Sequence, residues 1–249
     1  MDTELSSQTQ GQPDQEAKVR SETKKKFSEP VHKGQIPILS FPLKRPMTIT
    51  MASSDPPILL IRGFLRKREC KWLREMAEPM LKPSTAVEND QLVIRNYRNS
   101  WTAHITISGE EPKEPILHSI LTRVSAFSGM PMSHIEGINV VRYRYAEKYE
   151  AHHDYFAKKH SQIAGKGGER IMTFFVYLND VPDDAGGATI FPKLNFCIQP
   201  RAGTCAFWMN TDPTATIYYD TTFHSGEEIR KEGVVKYGMN IWVRQNPMI

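Results

Sequence analysis

Cysteine is scarce: Cys70, Cys197 and Cys205 are the three in the chain, widely spaced and without a Cys-x-x-Cys pair. An odd, scattered set argues against a disulfide framework and against a structural zinc site. No apolar run approaches the ~18 residues that a membrane span requires. The opening Met-Asp-Thr-Glu-Leu-Ser-Ser-Gln lacks the charged and apolar regions of a secretory signal, so a reducing, cytoplasmic setting is expected, with no membrane partner. Charge of one sign is also missing. Thirty-two Lys and Arg face 28 Asp and Glu, a formal net charge of +4, too slight to imply a polyanionic partner. The basic residues are interspersed with acids and show no stacking platform, which argues against a nucleic-acid partner. No internal repeat is visible.

What remains is an ordinary globular composition, 39% hydrophobic and 24% charged over 249 residues, ample for a real core. Residues 1–55 are rich in Gln, Ser, Lys, Glu and Pro without apolar periodicity, and read as a mostly disordered polar tail. Within it, the basic run Lys18–Lys26 reads as a solvated segment, with a nuclear address as the alternative. Leu39, Phe41 and Leu43 alternate with polar positions and suggest a short strand that Pro42 would confine to a sheet edge. The folded domain is expected over 56–249.

Ile58–Phe64 is strand-like. Over 66–81, Cys70, Leu73, Met76, Ala77 and Met80 recur at helical spacing, and Pro79 should kink or end that helix. Leu92–Ile107 suggests strands joined by a turn at Arg95–Ser100. A second helix should start at Pro115, carry Leu117, Ile120, Leu121, Val124 and Phe127 as its apolar stripe, and stop at Gly129 and Pro131. From Ile138 the chain reads as short strands at 138–145, 171–178, 188–191, 196–199, 203–210, 216–223 and 236–243. Helices first and strands after predict an α+β unit, mainly β: a sandwich or barrel with helices packed on one side.

The stretch Tyr143 to Asp154 organises this pattern. Side chains two apart on a strand leave the same face, roughly 6–7 Å apart along the backbone. His152 and Asp154 are therefore presented together, with His153 turned away. One carboxylate, one imidazole and a second, distant imidazole make the set that holds Fe(II) with coordination positions open. His224, after the strand-like Thr216–Phe223, supplies the second imidazole. Lys236 opens the apolar segment Lys236–Val243, and an inward lysine there requires an anionic partner. Arg230 and Lys231, in a charged turn, are the competing cations. Gly186-Gly187-Ala188-Thr189-Ile190-Phe191-Pro192 reads as a glycine-rich turn into a strand.

In order along the chain stand Tyr149 with His152 and Asp154, then Arg170 with Leu178, then the Gly186–Pro192 segment. His224 with Gly226 and Lys236 with Trp242 follow. Together these motifs resemble the prolyl 4-hydroxylases of the 2-oxoglutarate/Fe(II) oxygenases over about residues 56–245. The resemblance implies a double-stranded β-helix (jelly-roll) core buttressed by the N-terminal helices. It implies Fe(II), 2-oxoglutarate and O2 as cofactor and cosubstrates, with ascorbate as reductant. The substrate it implies is a proline-containing peptide or protein, hydroxylated at C4 with release of succinate and CO2; another residue or a small molecule on the same scaffold, or a non-catalytic binding module, are the alternatives. By the same resemblance His152, Asp154 and His224 are the iron ligands. Lys236 binds the distal carboxylate of 2-oxoglutarate, with Tyr143 and Thr189 as hydrogen-bonding neighbours. Tyr149 and Arg170 lie at the catalytic surround, Tyr149 against the target proline, and Arg98, Ser100, Glu136 and Trp242 bind the peptide. The sequence departs from the family pattern at Ala146-Glu147, where Gly-Gln is usual, and in a slightly longer segment between His224 and Lys236.

Overall fold

The structure, a computed structural model, describes residues 47–88, 91–94, 96–106, 112–156 and 164–248. Residues 1–46, with the basic run and the Leu39–Leu43 alternation, lie outside them. The longest strands are apolar on both faces because both faces are covered. β1 (Thr48–Ser54), β2 (Pro57–Arg62), β3 (Lys82–Pro83), β6 (Trp101–Ile105), β7 (Ile138–Tyr143), β9 (Arg170–Tyr177), β12 (Cys205–Met209) and β14 (Lys236–Arg244) form one eight-stranded sheet, ordered β1-β2-β12-β9-β14-β7-β6-β3. A smaller sheet, ordered β11-β10-β13-β8, contains β8 (Tyr149–His152), β10 (Thr189–Phe191), β11 (Phe196–Ile198) and β13 (His224–Gly226). β4 (Ala86–Glu88) and β5 (Gln91–Val93) pair by themselves. The pairings between these strands are antiparallel. The two facing sheets make the jelly roll.

Strand alternation sorts the core into two layers. Ile58, Leu60, Val141, Phe175, Tyr177, Ala206 and Trp208 belong to an inner cluster with Phe191, Phe196 and Ile198 of the small sheet. Their neighbours Leu59, Ile61, Val140, Phe174, Val176 and Phe207 face the other way, onto the helices. α1 (Lys67–Ala77) buries Cys70, Leu73 and Ala77, and Pro79 sits in the 3-10 turn Glu78–Met80 that ends it. α2 (Pro115–Ser128) begins with proline in its first turn, where Glu114 accepts the Leu117 N–H at 2.8 Å, and stops at Gly129 with φ 73°. The glycine supplies the left-handed residue that closes such a helix.

A buried ion pair ties the two helices together. Arg123 Nη2 donates to Glu69 Oε1 at 2.5 Å, and Glu69 Oε2 also accepts the Arg66 N–H at 2.6 Å. Burial works against the Glu69 carboxylate, yet the hydrogen bonds from Arg123 and Arg66 hold its pKa below the usual range. Removing one partner strands the other charge, so Arg123→Met should cost about 3–5 kcal/mol in urea unfolding; a loss within experimental error would show that the pair does not brace the helices.

Two expectations need correction. The ordered sheet starts at Thr48 rather than near residue 56: β1 pairs with β2 from Thr48↔Arg62 to Ser54↔Pro57. Its weakly apolar sequence suits an edge strand of intermediate burial, which hydrophobicity alone does not mark. The segment 216–223 is not a strand. The Asp212 carboxylate accepts the N–H groups of Thr214, Thr216 and Ile217 at 3.1, 2.7 and 2.6 Å, which takes donors a ladder would need. A 3-10 turn at Asp220–Thr222 follows, and His224 opens the next strand rather than closing this one.

Candidate metal centre

β8 and β13 are antiparallel neighbours, and their register sets His152 opposite His224. The rings lie 4.4 Å apart between centroids. Asp154 stands two residues past His152, buried, with its Oδ1 3.6 Å from His152 Nε2 and its Oδ2 3.9 Å from His224 Nε2. One ligand atom from each of the three falls within 4.8 Å of the others. Each histidine has Nδ1 against a backbone carbonyl, His152 on Glu150 at 2.9 Å and His224 on Thr222 at 2.8 Å. A carbonyl only accepts, so each Nδ1 carries the proton and each Nε2 presents its lone pair. Burial and the neighbouring His152 push the His224 pKa down to about 4, which keeps that ring neutral. Burial works to raise the Asp154 pKa, and the Thr173 hydroxyl, which donates to the carboxylate, opposes it. His153 points away, with Nε2 donating to the Asp220 carbonyl at 3.1 Å.

Lys236 opens β14 opposite Tyr143 and is 1% exposed. Its Nζ lies 5.1, 5.5 and 5.9 Å from the ring centroids of Tyr143, Phe175 and Tyr177. Among the described residues no hydrogen-bond acceptor reaches it. Burial pushes its pKa down to about 7, partly opposed by the charge of Glu227. The competing cations are elsewhere: Arg230 pairs with Glu227 and Lys231 with Asp184, their side chains 45% and 57% exposed. Gly187 has φ 77°, and a Cβ there would stand 2.7 Å from Ile229 Cδ1 and 3.5 Å from Lys236 Cδ, so glycine leaves room for the lysine stem. Thr189 accepts a hydrogen bond from the Tyr177 hydroxyl at 2.8 Å. The Tyr143 hydroxyl is buried near Ser100, beside the place a Cβ of Gly226 would occupy. His224 in turn packs on Phe191 and Trp208, which share the inner cluster with Tyr143, Phe175 and Tyr177. The triad and the lysine thus border one interior between the sheets.

The remaining sequence-derived residues form two groups. Tyr149 stacks on His152 at 3.7 Å and 19°, and the Arg98 guanidinium lies 4.5 Å over the Tyr149 ring. Arg170 makes a two-pronged pair with Glu136, at 2.9 and 2.6 Å, while its guanidinium covers the Trp242 ring at 3.5 Å. Arg244, which sequence reasoning missed, also donates to Glu136, at 2.7 Å. Burial opposes the Glu136 charge, but the two arginines keep its pKa lowered. Sequence reasoning also missed Thr173, Asn210 and Tyr177. The signal for Thr173 is a hydroxyl in the middle of the apolar run Arg170–Tyr177.

The 2OG-Fe(II) oxygenase superfamily profile matches residues 138–244, a span that holds the triad and Lys236. A protein of Arabidopsis thaliana named probable prolyl 4-hydroxylase 10 is 28% identical over 79% of this chain and 71% of its own length. The prolyl 4-hydroxylase subunit alpha-1 of Gallus gallus is 33% identical over 67% of this chain, which spans only 32% of that subunit. Among solved structures, the viral collagen prolyl hydroxylase of Paramecium Bursaria Chlorella virus-1, in a 2OG complex, matches with TM-score 0.59 and 26% identity, over 75% of this chain and 95% of that one. By sequence and fold the chain is similar to prolyl 4-hydroxylases and to 2OG-Fe(II) oxygenases. The metal and cosubstrate of this family of oxygenases are Fe(II) and 2-oxoglutarate, and the residues here fit both. Two Nε2 lone pairs and one carboxylate suit Fe(II), and a buried ammonium without an acceptor suits a dicarboxylate.

Proposed function

We propose that this protein is a prolyl 4-hydroxylase: it hydroxylates a peptidyl proline at C4, with 2-oxoglutarate converted to succinate and CO2. The observation that carries the reading is the meeting of His152, Asp154 and His224, distant in sequence, within 4.8 Å, in the interior that Lys236 also borders. His152 and His224 would hold the metal through Nε2, their rings fixed by the Glu150 and Thr222 carbonyls. Asp154 supplies the anionic ligand, and a carboxylate there favours hydroxylation over halogenation. When bound, Fe(II) and 2-oxoglutarate supply the oxidising chemistry that reduces O2. Lys236 fixes the distal carboxylate of the cosubstrate, and the Thr189 and Tyr143 hydroxyls lie within reach of the same anion. The aromatic walls of this interior exclude water, so that these charges act in a low-dielectric site. Tyr149 has its ring faces covered by Arg98 and His152, so it would meet the proline ring by its edge. Arg170, Glu136 and Trp242 make a rigid polar wall for the peptide backbone, and Ser100 lies near Tyr143. Ascorbate would keep the metal reduced.

The test is incubation of purified protein with Fe(II), 2-oxoglutarate, ascorbate and a panel of proline-containing peptides. The expected result is succinate together with a peptide heavier by one oxygen atom and containing 4-hydroxyproline. Succinate that forms equally without peptide, and with no hydroxyproline, would contradict the substrate reading.

A further inference from the structure

We propose that Thr173 and Asn210 form a relay that positions Asp154 for the metal. The inference rests on the reading of His152, Asp154 and His224 as ligands. Thr173 lies in β9 at the centre of the large sheet and is 0% exposed. Its hydroxyl donates to Asp154 Oδ2 at 2.7 Å. Asn210 follows β12 directly and is also 0% exposed; its Nδ2 donates to Thr173 Oγ1 at 2.8 Å. The β9–β12 register, Trp208↔Thr173 and Met209↔Met172, brings the two side chains together, and the Asn210 N–H is held by the Ile171 carbonyl at 2.9 Å.

The chemistry of the three groups dictates the direction of this chain. A carboxylate only accepts, a hydroxyl has one proton, and an amide nitrogen only donates. Asn210 must therefore donate to Thr173, which leaves the threonine proton for Asp154. A flipped amide would set Oδ1 against Thr173, and two acceptors would compete for one proton. The observed orientation leaves Asn210 Oδ1 buried and without a partner among the described residues. Such an orphan acceptor is costly, and the relay accounts for its retention. With Oδ2 engaged by Thr173, the carboxylate cannot rotate freely, and Oδ1, beside His152 Nε2, is the oxygen left to take a metal. Thr173 is thus a positioning residue, and Asn210 sets the direction of its hydrogen bond.

The probe is Mn(II) alone, titrated into the 249-residue apoprotein and followed by the paramagnetic resonance signal of the free ion. Thr173→Val keeps the side-chain shape and removes the hydroxyl, and should weaken Mn(II) binding roughly ten- to hundredfold. Thr173→Ser should restore the wild-type affinity, which a purely structural defect would not predict. Asn210→Asp turns the donor into an acceptor that competes for the threonine proton, and should weaken binding as well. Apoprotein melting curves identify any variant that fails to fold; were valine such a variant, serine and Asn210→Asp still decide. Wild-type affinity in Thr173→Val or in Asn210→Asp, with Asp154→Ala inactive in binding, would overturn the relay and spare the ligand reading. A wild-type protein that binds no Mn(II), or an Asp154→Ala that binds it normally, would overturn the ligand reading and the relay with it.

Discussion

Exchange of Lys236 for methionine should raise the 2-oxoglutarate KM on the order of a hundredfold while making the apoprotein more stable. The two effects have one cause. The ammonium is buried among three aromatic rings with no acceptor in reach among the described residues, and it is charged only at the expense of solvation. A dicarboxylate repairs that deficit, and truncating one partner of a buried charge pair costs about 2–5 kcal/mol of binding. The sign of the stability effect follows from linkage. The folded pKa is about 7, against 10.5 for the free group, so the unfolded chain binds this proton more tightly. The penalty is therefore complete below pH 7 and fades as pH rises from about 7 to 10.5. Denaturant unfolding of wild type and Lys236→Met should show the variant ahead below pH 7, with the gap closing through that window. Cosubstrate binding above pH 7 should also take up a proton, seen as a dependence of the binding heat on the ionisation enthalpy of the buffer. An unchanged KM would move the anchoring role to another basic residue.

Asp154→Ala should abolish metal retention and turnover, and His152→Ala and His224→Ala should do the same. Outer residues that merely orient a ligand cost ten- to hundredfold in affinity or activity, so loss of a ligand should exceed that range. Asp154 is the sharpest of the three, because it is the sole carboxylate of the cluster and lies within 4 Å of both imidazoles. Its removal leaves two neutral rings and no anionic ligand for a divalent cation. Inductively coupled plasma mass spectrometry of Fe(II)-loaded, desalted protein measures retention directly, and succinate formation measures turnover. A variant that kept its iron would exclude Asp154 from the ligand set.

Strand alternation was the reason for pairing His152 with Asp154, but β8 ends at His152 and Asp154 lies in the bend that follows; the structure still sets the pair beside His224. The α1 and α2 stripes were legible for the analogous helical reason, except Met80, which lies in the turn past α1 and is exposed; Pro79 and Gly129 marked their ends. The misread segment was 216–223. Its alternating threonines and aromatics mimic a strand, but a single carboxylate, Asp212, gathers the backbone donors. β1 was missed because an edge strand carries little apolar signal. Among Lys236, Arg230 and Lys231, the spacing of Lys236 to Trp242 favoured Lys236, and the structure buries it while Arg230 and Lys231 each pair with an acid. Ala146 shows that a family glycine position can be filled at a cost: its φ is 61°, left-handed backbone that glycine adopts without strain. Thr173 and Asn210 were invisible as a pair because their contact is made by β9–β12 register, which no local pattern encodes.

The most direct test of the account is an anomalous-scattering map at the iron edge from crystals grown anaerobically with Fe(II) and 2-oxoglutarate. The account predicts one iron peak bonded to His152 Nε2, His224 Nε2 and an Asp154 oxygen, with the far carboxylate of the cosubstrate on Lys236 Nζ. Iron bound elsewhere, or a cosubstrate turned away from Lys236, would contradict it.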